Sequence, residues 1–358
     1  MLRKITYLAF ILALSCSIPS FSQTKKEQAK LEKQRKKEEA ILEKQRKKEE
    51  KKRKKKELPE NIEAFPKNFL IRPRFVYPEV SLNVSNRMFG KGEKFKYKPS
   101  IPGVVGLSLK IKKVYISAAI QLPANDRLKK LYGETKNRNI NINIQGRTVL
   151  WSIFYRDYKG FYLKDYENYY PNWNKDSLGY PKSPGLRIIE GGLNMGFNFN
   201  KNFSMNAAFA QGERQKKGAG SFLMGWSERW QYIEADTSFV PPTQGDLYPN
   251  LNKLKFGNFI STLIYIGYGY QFVIKKVHFT PVILAGTGFQ IQSYEQTDKK
   301  RFWINMPTYA TLKGQLGYNG NHFFANLIYA TEFNSIPIKE SRIRLYHNWL
   351  EFGMGLRF

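Results

Sequence analysis

Apolar and polar residues alternate along most of the chain after residue 68, in segments of roughly ten residues separated by turn residues. The clearest segment is Asn139–Ile144, in which asparagine and isoleucine alternate strictly. A β-strand places successive side chains on opposite faces, whereas a helix would scatter these residues around its surface. The pattern predicts strands whose isoleucines face lipid and whose asparagines face a wet lumen.

Similar alternation recurs along the chain and predicts further strands of the same kind. It appears in Val114–Leu122, Val149–Tyr155, Ile189–Phe199, Ser204–Phe209, Leu263–Val273, Val277–Phe289, Thr308–Tyr318 and Phe323–Phe333. Repeated short strands of this type are the sequence signature of an outer-membrane barrel.

The last segment of the chain shows the strongest alternation. Leu350, Phe352, Met354, Leu356 and Phe358 occupy one face, and Glu351, Gly353, Gly355 and Arg357 occupy the other. The final eight residues also resemble the polar-x-Gly-x-x-apolar-x-aromatic signal that barrel-assembly machinery recognises, with Glu351, Gly353, Leu356 and Phe358 as its elements. We therefore expect outer-membrane lipid and this machinery as partners.

The first residues have the composition of a secretory signal peptide. Arg3 and Lys4 precede an apolar run over residues 5–14, and Ser20–Ser22 supplies a small-x-small cleavage site before Gln23. Cys16, the only cysteine, lies inside this signal and in a poor lipoprotein box. The mature chain would then have no thiol, which excludes disulfides and cysteine-based metal or redox chemistry.

After the signal, no stretch approaches the ~20 consecutive apolar residues of a membrane-spanning helix. Any membrane span must therefore be a strand. Aromatic residues make up 15% of the chain, with 22 Tyr and 26 Phe, as expected where aromatic girdles line two membrane interfaces. A soluble β-sandwich is the alternative.

The net charge of +30 is distributed unevenly and marks the main boundary in the chain. Residues 24–58 are almost entirely Lys, Arg, Glu and Gln, whereas the aromatic residues follow later. We predict a signal peptide at 1–22, a charged arm at 23–58, a linker at 59–68 and a barrel at 69–358. The arm and Phe358 would lie in the periplasm.

The arm contains an internal repeat of eleven residues, in which Leu31–Ile41 is followed by the similar Leu42–Glu50. Eleven residues fit three helical turns, and Glu–Lys or Glu–Arg pairs at helical spacing support a single solvated helix. The arm is either a spacer or an electrostatic element that contacts cell wall, anionic headgroups or a periplasmic protein through Lys25–Lys56. Nucleic acid is not expected as a partner outside the cytoplasm.

Bacterial barrels place short turns in the periplasm and usually close with an even number of strands. Strands traced from both ends leave Phe203–Glu234 to make one net crossing, although this segment is long enough for two. Alternation stops in Glu213–Gly220 and resumes at Ser221–Trp226. We predict an all-β antiparallel transmembrane barrel of about twelve strands, with about ten or fourteen as alternatives, and the charged block as an irregular insertion in one crossing.

Three motifs resemble the repeated landmarks of a Bacteroidota family of outer-membrane proteins, domain of unknown function 4421. They are Tyr155–Leu163, Phe203–Phe209 and Gln215–Gly225, and the similarity covers most of the chain after Pro66. Gly218 stands where the family pattern has serine, and the charged arm is not a general family feature. The resemblance implies an outer-membrane barrel without an assigned activity.

The charged block is the best candidate for a ligand site, because charges at membrane depth are costly unless they serve a polar path or pair with each other. The candidate residues are Glu213, Arg214, Gln215, Lys216 and Lys217, together with Arg156 and Lys159. They could form a basic lumen site for an anionic solute or lipid phosphate. Alternatively, Glu213 and Glu228 simply neutralise the bases in a packed lumen.

No catalytic residue, metal ligand or cofactor is assigned. His278, His322 and His347 are dispersed: the first two lie near predicted periplasmic turns, and His347 lies mid-strand with no serine close in sequence. The aromatic loop over residues 159–182 suits either carbohydrate or protein contact or an aromatic belt with loop packing. The sequence therefore favours a channel or binding barrel for small anionic or polar solutes, with a structural or assembly role for the arm as the alternative and lipid hydrolysis as a weaker one.

Overall fold

The structure is a computed structural model that describes residues 32, 35–43, 58–66, 69–86, 94–236, 238, 240–248, 251, 254–296, 299–339 and 341–358. The chain divides into two units, Met1–Glu57 and Leu58–Phe358. In the first unit, residues 35–43 are helical and exposed, and Lys36 Nζ lies 2.9 Å from Glu32 Oε1. This agrees with a charged helix. The predicted signal peptide and most of Lys25–Lys56 lie outside the described residues.

The second unit consists mainly of strands that share alternating inward and outward side chains. They are β1 (Ile62–Ala64), β2 (Phe69–Ser85), β3 (Lys94–Lys98), β4 (Val104–Ile111), β5 (Val114–Gln121), β6 (Lys136–Gln145), β7 (Val149–Leu163), β8 (Lys182–Asn198), β9 (Glu213–Gln215), β10 (Ala219–Glu234), β11 (Leu254–Ile274), β12 (Val277–Gln296), β13 (Lys299–Asn305), β14 (Thr308–Asn319), β15 (Phe323–Ile338) and β16 (Ser341–Arg357).

Three short helices lie in the connections. They are α1 (Asp126–Tyr132), α2 (Lys175–Leu178) and α3 (Met205–Ala210), and 3₁₀ turns cover Tyr166–Asn168 and Pro242–Leu247. Within the described part of the chain, no helix has the length and apolar character needed to cross a membrane.

A closed antiparallel ring organises this unit. Of the 14 strands in the main sheet, β3 and β13 pair outside the ring, which leaves twelve. Their order around the ring is β2, β4, β5, β6, β7, β8, β10, β11, β12, β14, β15 and β16, and β16 pairs back onto β2. The predicted number of strands is confirmed. Closure removes every free edge from the ring, as a membrane-spanning sheet requires.

The inward and outward faces follow the predicted alternation. Ile140, Ile142 and Ile144 of β6 are exposed on the outer surface, whereas Asn139 and Asn141 line the interior. On β16 the outward residues run from Leu350 to Phe358 and the alternate residues are buried. An apolar outer belt around a polar interior is the arrangement of outer-membrane barrels, so the chain is a transmembrane β-barrel of that class.

The two ends of the barrel differ. The end that we call the turn end has the short connections after β4, β6, β11 and β14, and there Phe358 N donates to Phe69 O at 3.0 Å. The opposite end, the loop end, has the longer connections that contain α1 and α2.

The prediction of a strand over Ser204–Phe209 is wrong, because these residues form α3. Ser204 caps the helix, since its hydroxyl oxygen accepts from Ala207 N at 3.0 Å. The alanine-rich segment after it has high helix propensity, and six residues are too few for alternation to distinguish a strand from a helix.

The charged block lies before its crossing and not within it. β10 makes the single crossing that parity requires, and Glu213–Gln215 forms β9 at the turn end. There β9 pairs antiparallel with β1, which lies in the segment expected as a linker. α3, β9 and β1 together form what we call the turn-end plug. Its charges therefore avoid hydrocarbon by sitting at the barrel mouth.

A second filling closes the loop end. A continuous cluster of buried apolar side chains extends from β2 and β3 across to β11 and β15. Its most enclosed members include Leu82, Phe95, Tyr248, Phe259 and Ile336. We call it the loop-end core. Such a core inside the end of a barrel resembles the interior of a soluble protein.

Candidate binding site in the barrel lumen

A cavity of ≈ 390 Å³ occupies the lumen between the two fillings. Met205 and Phe209 of α3 line it on the side of the turn-end plug. Val80, Val104 and Tyr158, which belong to the loop-end core, line it on the other side. Small-molecule sites in proteins typically measure about 300–1,000 Å³, so this cavity is large enough for a small ligand.

Cationic side chains form one wall of this cavity. Arg72 and Arg74 point inward from β2, and both donate to the carboxylate of Glu351 on β16, with Arg74 Nη1 at 2.9 Å from Oε2. Lys313 of β14 lies nearby in the ring, with its Nζ 4.6 Å from the ring centroid of Phe209. We call Arg72, Arg74 and Lys313 the cationic wall.

A glycine makes room for this wall. Gly353 follows Glu351 on the inward face of β16 and stands opposite Arg74 in the ladder. A Cβ atom at Gly353 would lie 2.4 Å from Arg72 Nε, so the guanidinium of Arg72 lies directly over the backbone of β16. This close approach allows both arginines to reach one carboxylate, which gives the charge-assisted geometry that arginine favours.

An ion-pair network borders the cavity toward the loop end. Glu332 accepts from Arg229 Nη1 at 2.6 Å and from Arg156 Nη1 at 3.4 Å. Arg156 also lies 3.7 Å from Glu190, which contacts His347 Nε2 at 2.7 Å and accepts from Gln231 Nε2 at 2.8 Å. The five ionisable side chains come from five strands and connect opposite walls. Mutual pairing is what allows so many charged groups to be buried.

The cavity is lined by fewer carboxylates than cations. Among the described lining residues the acids are Glu332 and Glu351, and Arg156 and Arg229 already engage Glu332. Glu351 is thus the single lining carboxylate near the cationic wall. The site has excess positive charge, and a low-dielectric lumen strengthens its attraction for an anion.

Amide side chains cover the opposite wall. Asn139, Asn141 and Asn143 project inward from β6, followed by Ser152 of β7 and Asn194 of β8. Ser152 Oγ donates to Asn141 Oδ1 at 3.2 Å. We call these five residues the amide wall. β6 and β14 are six strands apart in the twelve-strand ring, so the amide wall faces Lys313 across the lumen.

The structure separates the ligand residues that the sequence suggested. Arg156 lines the cavity, but Lys159 is exposed on the outside of β7. Glu213 pairs with Arg147 at the turn end. Arg147 precedes Arg156 by nine residues, so the two arginines are about 30 Å apart along the strand direction at ~3.3 Å per residue. The block and Arg156 therefore do not form one site.

The block instead holds the turn-end plug together. Glu213 accepts from Arg147 Nη2 at 3.0 Å and from Ser204 Oγ at 2.5 Å. Arg214 donates to Glu63 at 2.9 Å and to the Asn319 carbonyl at 2.8 Å. Gln215 Nε2 donates to Asn202 O at 2.6 Å, and the side chains of Lys216 and Lys217 are exposed.

Glu228 does not neutralise bases in the lumen, contrary to the alternative weighed from the sequence. It lies out of phase with the inward residues of β10, and its carboxylate accepts from Thr262 Oγ1 at 2.8 Å on the outer surface. Glu213 does have the neutralising role, through Arg147. The alternation of β10 places Ser227 and Arg229 inside and Glu228 outside.

A model of a known protein family matches residues 60–358. The chain belongs to the family described as Domain of unknown function (DUF4421). The resemblance carried by the sequence motifs is thereby confirmed, and the family supplies a membership without an activity. No curated protein matches the chain.

Several solved outer-membrane structures are similar to this DUF4421 barrel at low identity. The outer membrane protease OmpT from Escherichia coli has a TM-score of 0.38 and 8% identity, over 82% of this chain and 98% of that one. Ail, the attachment invasion locus protein of Yersinia pestis, has a TM-score of 0.22 and 14% identity, over 60% of this chain and 100% of that one. The Pseudomonas putida toluene transporter TodX has a TM-score of 0.26 and 8% identity, over 84% of this chain and 89% of that one.

The three histidines of this DUF4421 chain occupy separate places. His278 is buried beside Gly317, His347 is buried beside Glu190 and Tyr158, and His322 is exposed in the turn after β14. Among the described residues, no group of three or more His, Cys, Asp or Glu side chains is placed to hold a metal ion.

The aromatic loop after β7 packs against α1, against itself and against the loop-end core. Tyr180 stacks on Tyr132 with ring centroids 5.2 Å apart and contacts Tyr166 edge-on at 5.6 Å. Tyr166 and Tyr169 belong to the loop-end core, and burial raises the pKa of Tyr170 above its usual value. These contacts favour the loop-packing interpretation over a dedicated carbohydrate surface.

The cationic wall was missed by sequence reasoning, although a signal for it exists. Arg72 and Arg74 share the inward phase of their strand, and Lys313 shares the inward phase of β14. A basic residue on the polar phase of a predicted barrel strand therefore marks a lumen charge. Its grouping with Glu351 becomes visible only when β16 pairs with β2.

Proposed function

We propose that this protein is a solute-binding barrel of the outer membrane, with its turn end and Phe358 in the periplasm, and that its lumen holds a small anionic solute. The observation that carries the proposal is the lumen cavity in which Arg72, Arg74 and Lys313 surround the single carboxylate of Glu351.

The chemistry of the cationic wall favours an anion. Arginine binds carboxylate and phosphate groups through two parallel N–H donors, and lysine adds a flexible point charge. Arg72 and Arg74 share one carboxylate, that of Glu351, so one of their two positive charges is left without a carboxylate partner at the cavity wall. An anion that enters the cavity would complete these interactions and offset the remaining positive charge.

The two fillings favour binding over open conduction. A porin-like path requires a continuous wet lumen, whereas here the loop-end core and the turn-end plug lie on either side of the cavity. Of the two hypotheses suggested by the sequence for the lumen, the binding barrel is therefore supported better than the passive channel.

Calorimetry on the refolded full chain in detergent tests the proposal, with inorganic phosphate as the probe. We expect saturable binding that weakens at least about tenfold in the double variant Arg74→Gln/Lys313→Gln, because two charge-assisted contacts are lost. Lys217→Gln is the matched control, since it removes a positive charge from an exposed position. Undetectable binding by the parent protein, or equal loss in the control, would overturn the proposal.

Planar-bilayer recording separates binding from conduction. We expect no steady conductance from the parent barrel, because both fillings lie in the path through the lumen. Steady anion-selective conductance that phosphate does not block would instead favour the channel. A variant that lacks residues 58–66 serves as a comparison, since it removes β1 from the turn-end plug.

A second function, carried by the charged arm, is supported by the position at which the chain enters the barrel unit. Asn61 Nδ2 donates to Asn202 O, and β1 pairs with β9, so the residues that follow the arm are fixed at the turn end. With that end in the periplasm, as proposed, the residues that follow the arm lie on the side of the cell wall. We propose that it contacts an anionic wall polymer or a periplasmic protein.

Deletion of residues 24–57 tests the role of the arm. Purified cell-wall sacculi should retain the full chain at low salt and release it at high salt, because exposed charges are screened. The deletion variant should insert into the membrane normally and show no retention. Equal retention of both proteins would contradict a role for the arm.

A further inference from the structure

We infer that the ligand of the lumen cavity is a polyhydroxylated anion, meaning a single sugar ring or similar polyol that bears one phosphate or carboxylate group. This inference rests on the proposed binding function and specifies its ligand class. The geometry that points to it is the placement of the cationic wall and the amide wall on opposite sides of one cavity.

The amide wall has the donors and acceptors that hydroxyl groups need. Each asparagine amide offers two N–H donors and a carbonyl acceptor, and a hydroxyl can both donate and accept. Asn139, Asn141 and Asn143 alternate on one strand, so their side chains repeat at about 6.6 Å along the wall. Ser152 and Asn194 extend the same surface onto β7 and β8. A row of neutral amides is therefore a better partner for several hydroxyl groups than for a second charged group of the ligand.

Serine hydroxyls hold two asparagines of the amide wall in place. The Asn141 carbonyl accepts from Ser152, and the Asn194 carbonyl accepts from Ser227 Oγ at 2.6 Å. These contacts hold the side chains in the wall while their NH₂ groups have further donor capacity. Fixed rotamers reduce the entropy that binding must overcome.

A simple anion would satisfy only one of the two walls. Phosphate or a short carboxylate at the cationic wall would leave the amides on the far side without a ligand. A ligand with an acidic group at one end and hydroxyls at the other reaches both. Trp349 also lines the cavity, and the flat apolar face of an indole ring suits the C–H face of a sugar ring.

The cavity volume limits the size of this ligand. The cavity's ≈ 390 Å³ lies near the lower end of the ~300–1,000 Å³ range of small-molecule sites. That volume suits one sugar ring with one acidic group.

A four-probe calorimetric comparison on the refolded full chain tests the inference. The probes are inorganic phosphate, glucose, glucose 6-phosphate and glucuronate. We expect glucose 6-phosphate or glucuronate to bind at least about tenfold tighter than phosphate, the equivalent of two added hydrogen bonds, and glucose alone to bind weakly. A preference between the two acidic sugars identifies the anionic group.

Substitutions in the amide wall assign the sugar contacts. The double variant Asn141→Ala/Asn143→Ala should lose the tenfold advantage of the acidic sugar and retain the affinity for phosphate. Asn326→Ala is the matched control, because Asn326 is a buried inward asparagine that does not line the cavity. The heat-dependent gel shift of folded barrels verifies folding, and the single variant Asn143→Ser tests the contact if the double variant does not fold.

The outcomes separate this inference from the proposed function. Phosphate binding without any advantage for the acidic sugars would overturn the polyhydroxylated ligand and leave the anion-binding barrel intact. Absence of binding by all four probes would overturn both. An acidic-sugar advantage that Asn141→Ala/Asn143→Ala does not reduce would overturn the role of the amide wall.

Discussion

The guanidinium carbon of Arg357 lies 3.8 Å from the ring centroid of Phe65, which joins the last residue of β16 to the segment that precedes the barrel. Arg214 contacts the same ring, with its guanidinium carbon 5.1 Å from the centroid. Phe65 therefore makes cation–π contacts with two arginines. The segment that leads from the arm is thus attached to the end of the final strand and to the plug.

We expect Phe65→Leu to loosen β1 while keeping an apolar side chain at the site. Loss of the cation–π contacts costs about 1 kcal/mol at a partly desolvated site, which corresponds to about fivefold more frequent opening. Hydrogen exchange of the Ile62–Ala64 amides, followed by mass spectrometry, measures the change. Phe65→Tyr is the control that retains a ring. Identical exchange rates in the leucine variant and the parent would show that the cation–π contacts of Phe65 do not hold β1.

Removal of one carboxylate from the ion-pair network should strongly destabilise the barrel. Glu332→Gln leaves Arg156 and Arg229 buried with reduced compensation, at a cost of about 3–5 kcal/mol. Urea unfolding from lipid vesicles measures this cost. Glu134→Gln is the matched control, because its pair with Lys129 is exposed and contributes at most about 1 kcal/mol. Similar midpoints for the two variants would contradict a structural role for the network.

Lysine substitutions at neighbouring positions of β6 should differ in their cost to stability, because the two side chains face lipid and lumen. Ile142→Lys places a charge toward lipid, where lysine costs up to about 2–4 kcal/mol. Asn141→Lys places the same charge in the wet lumen and should cost less than about 1 kcal/mol. Folding free energies in vesicles provide the comparison. Equal costs would show that the faces are assigned wrongly.

Gly353→Ala should displace Arg72, because the new Cβ would lie 2.4 Å from its Nε atom. The displacement should lower stability by about 1–3 kcal/mol, as overpacking does, and weaken phosphate binding. Gly314→Ala is the control, since its nearest neighbour, a carbon of the Phe279 ring, would be at an ordinary 3.6 Å. Thermal unfolding and phosphate titration of both variants test this. Unchanged stability and phosphate affinity in Gly353→Ala would mean that Arg72 has room to move.

The sequence was sufficient to predict the membrane architecture, because the alternation within each strand reflects the lipid on one face and the lumen on the other. Asn139–Ile144 alternates since one face meets lipid and the other meets the lumen, and this information needs no distant partner. Parity likewise assigned one crossing to Phe203–Glu234 without knowledge of the fold. It did not reveal α3, because a six-residue amphipathic segment fits either a helix or a strand until its surroundings decide.

The site depended on the tertiary structure, since its members are far apart in the chain. Arg72 and Glu351 are 279 residues apart, and Arg156 and Glu332 are 176 residues apart. Alternation predicts that each points inward, but only ring closure and strand register determine which charges meet. The sequence by itself therefore determined an antiparallel barrel of about twelve strands with a polar interior. The tertiary structure decided that its ends are filled and that the cations converge on one cavity, because pairing across the lumen is not a local property of any strand.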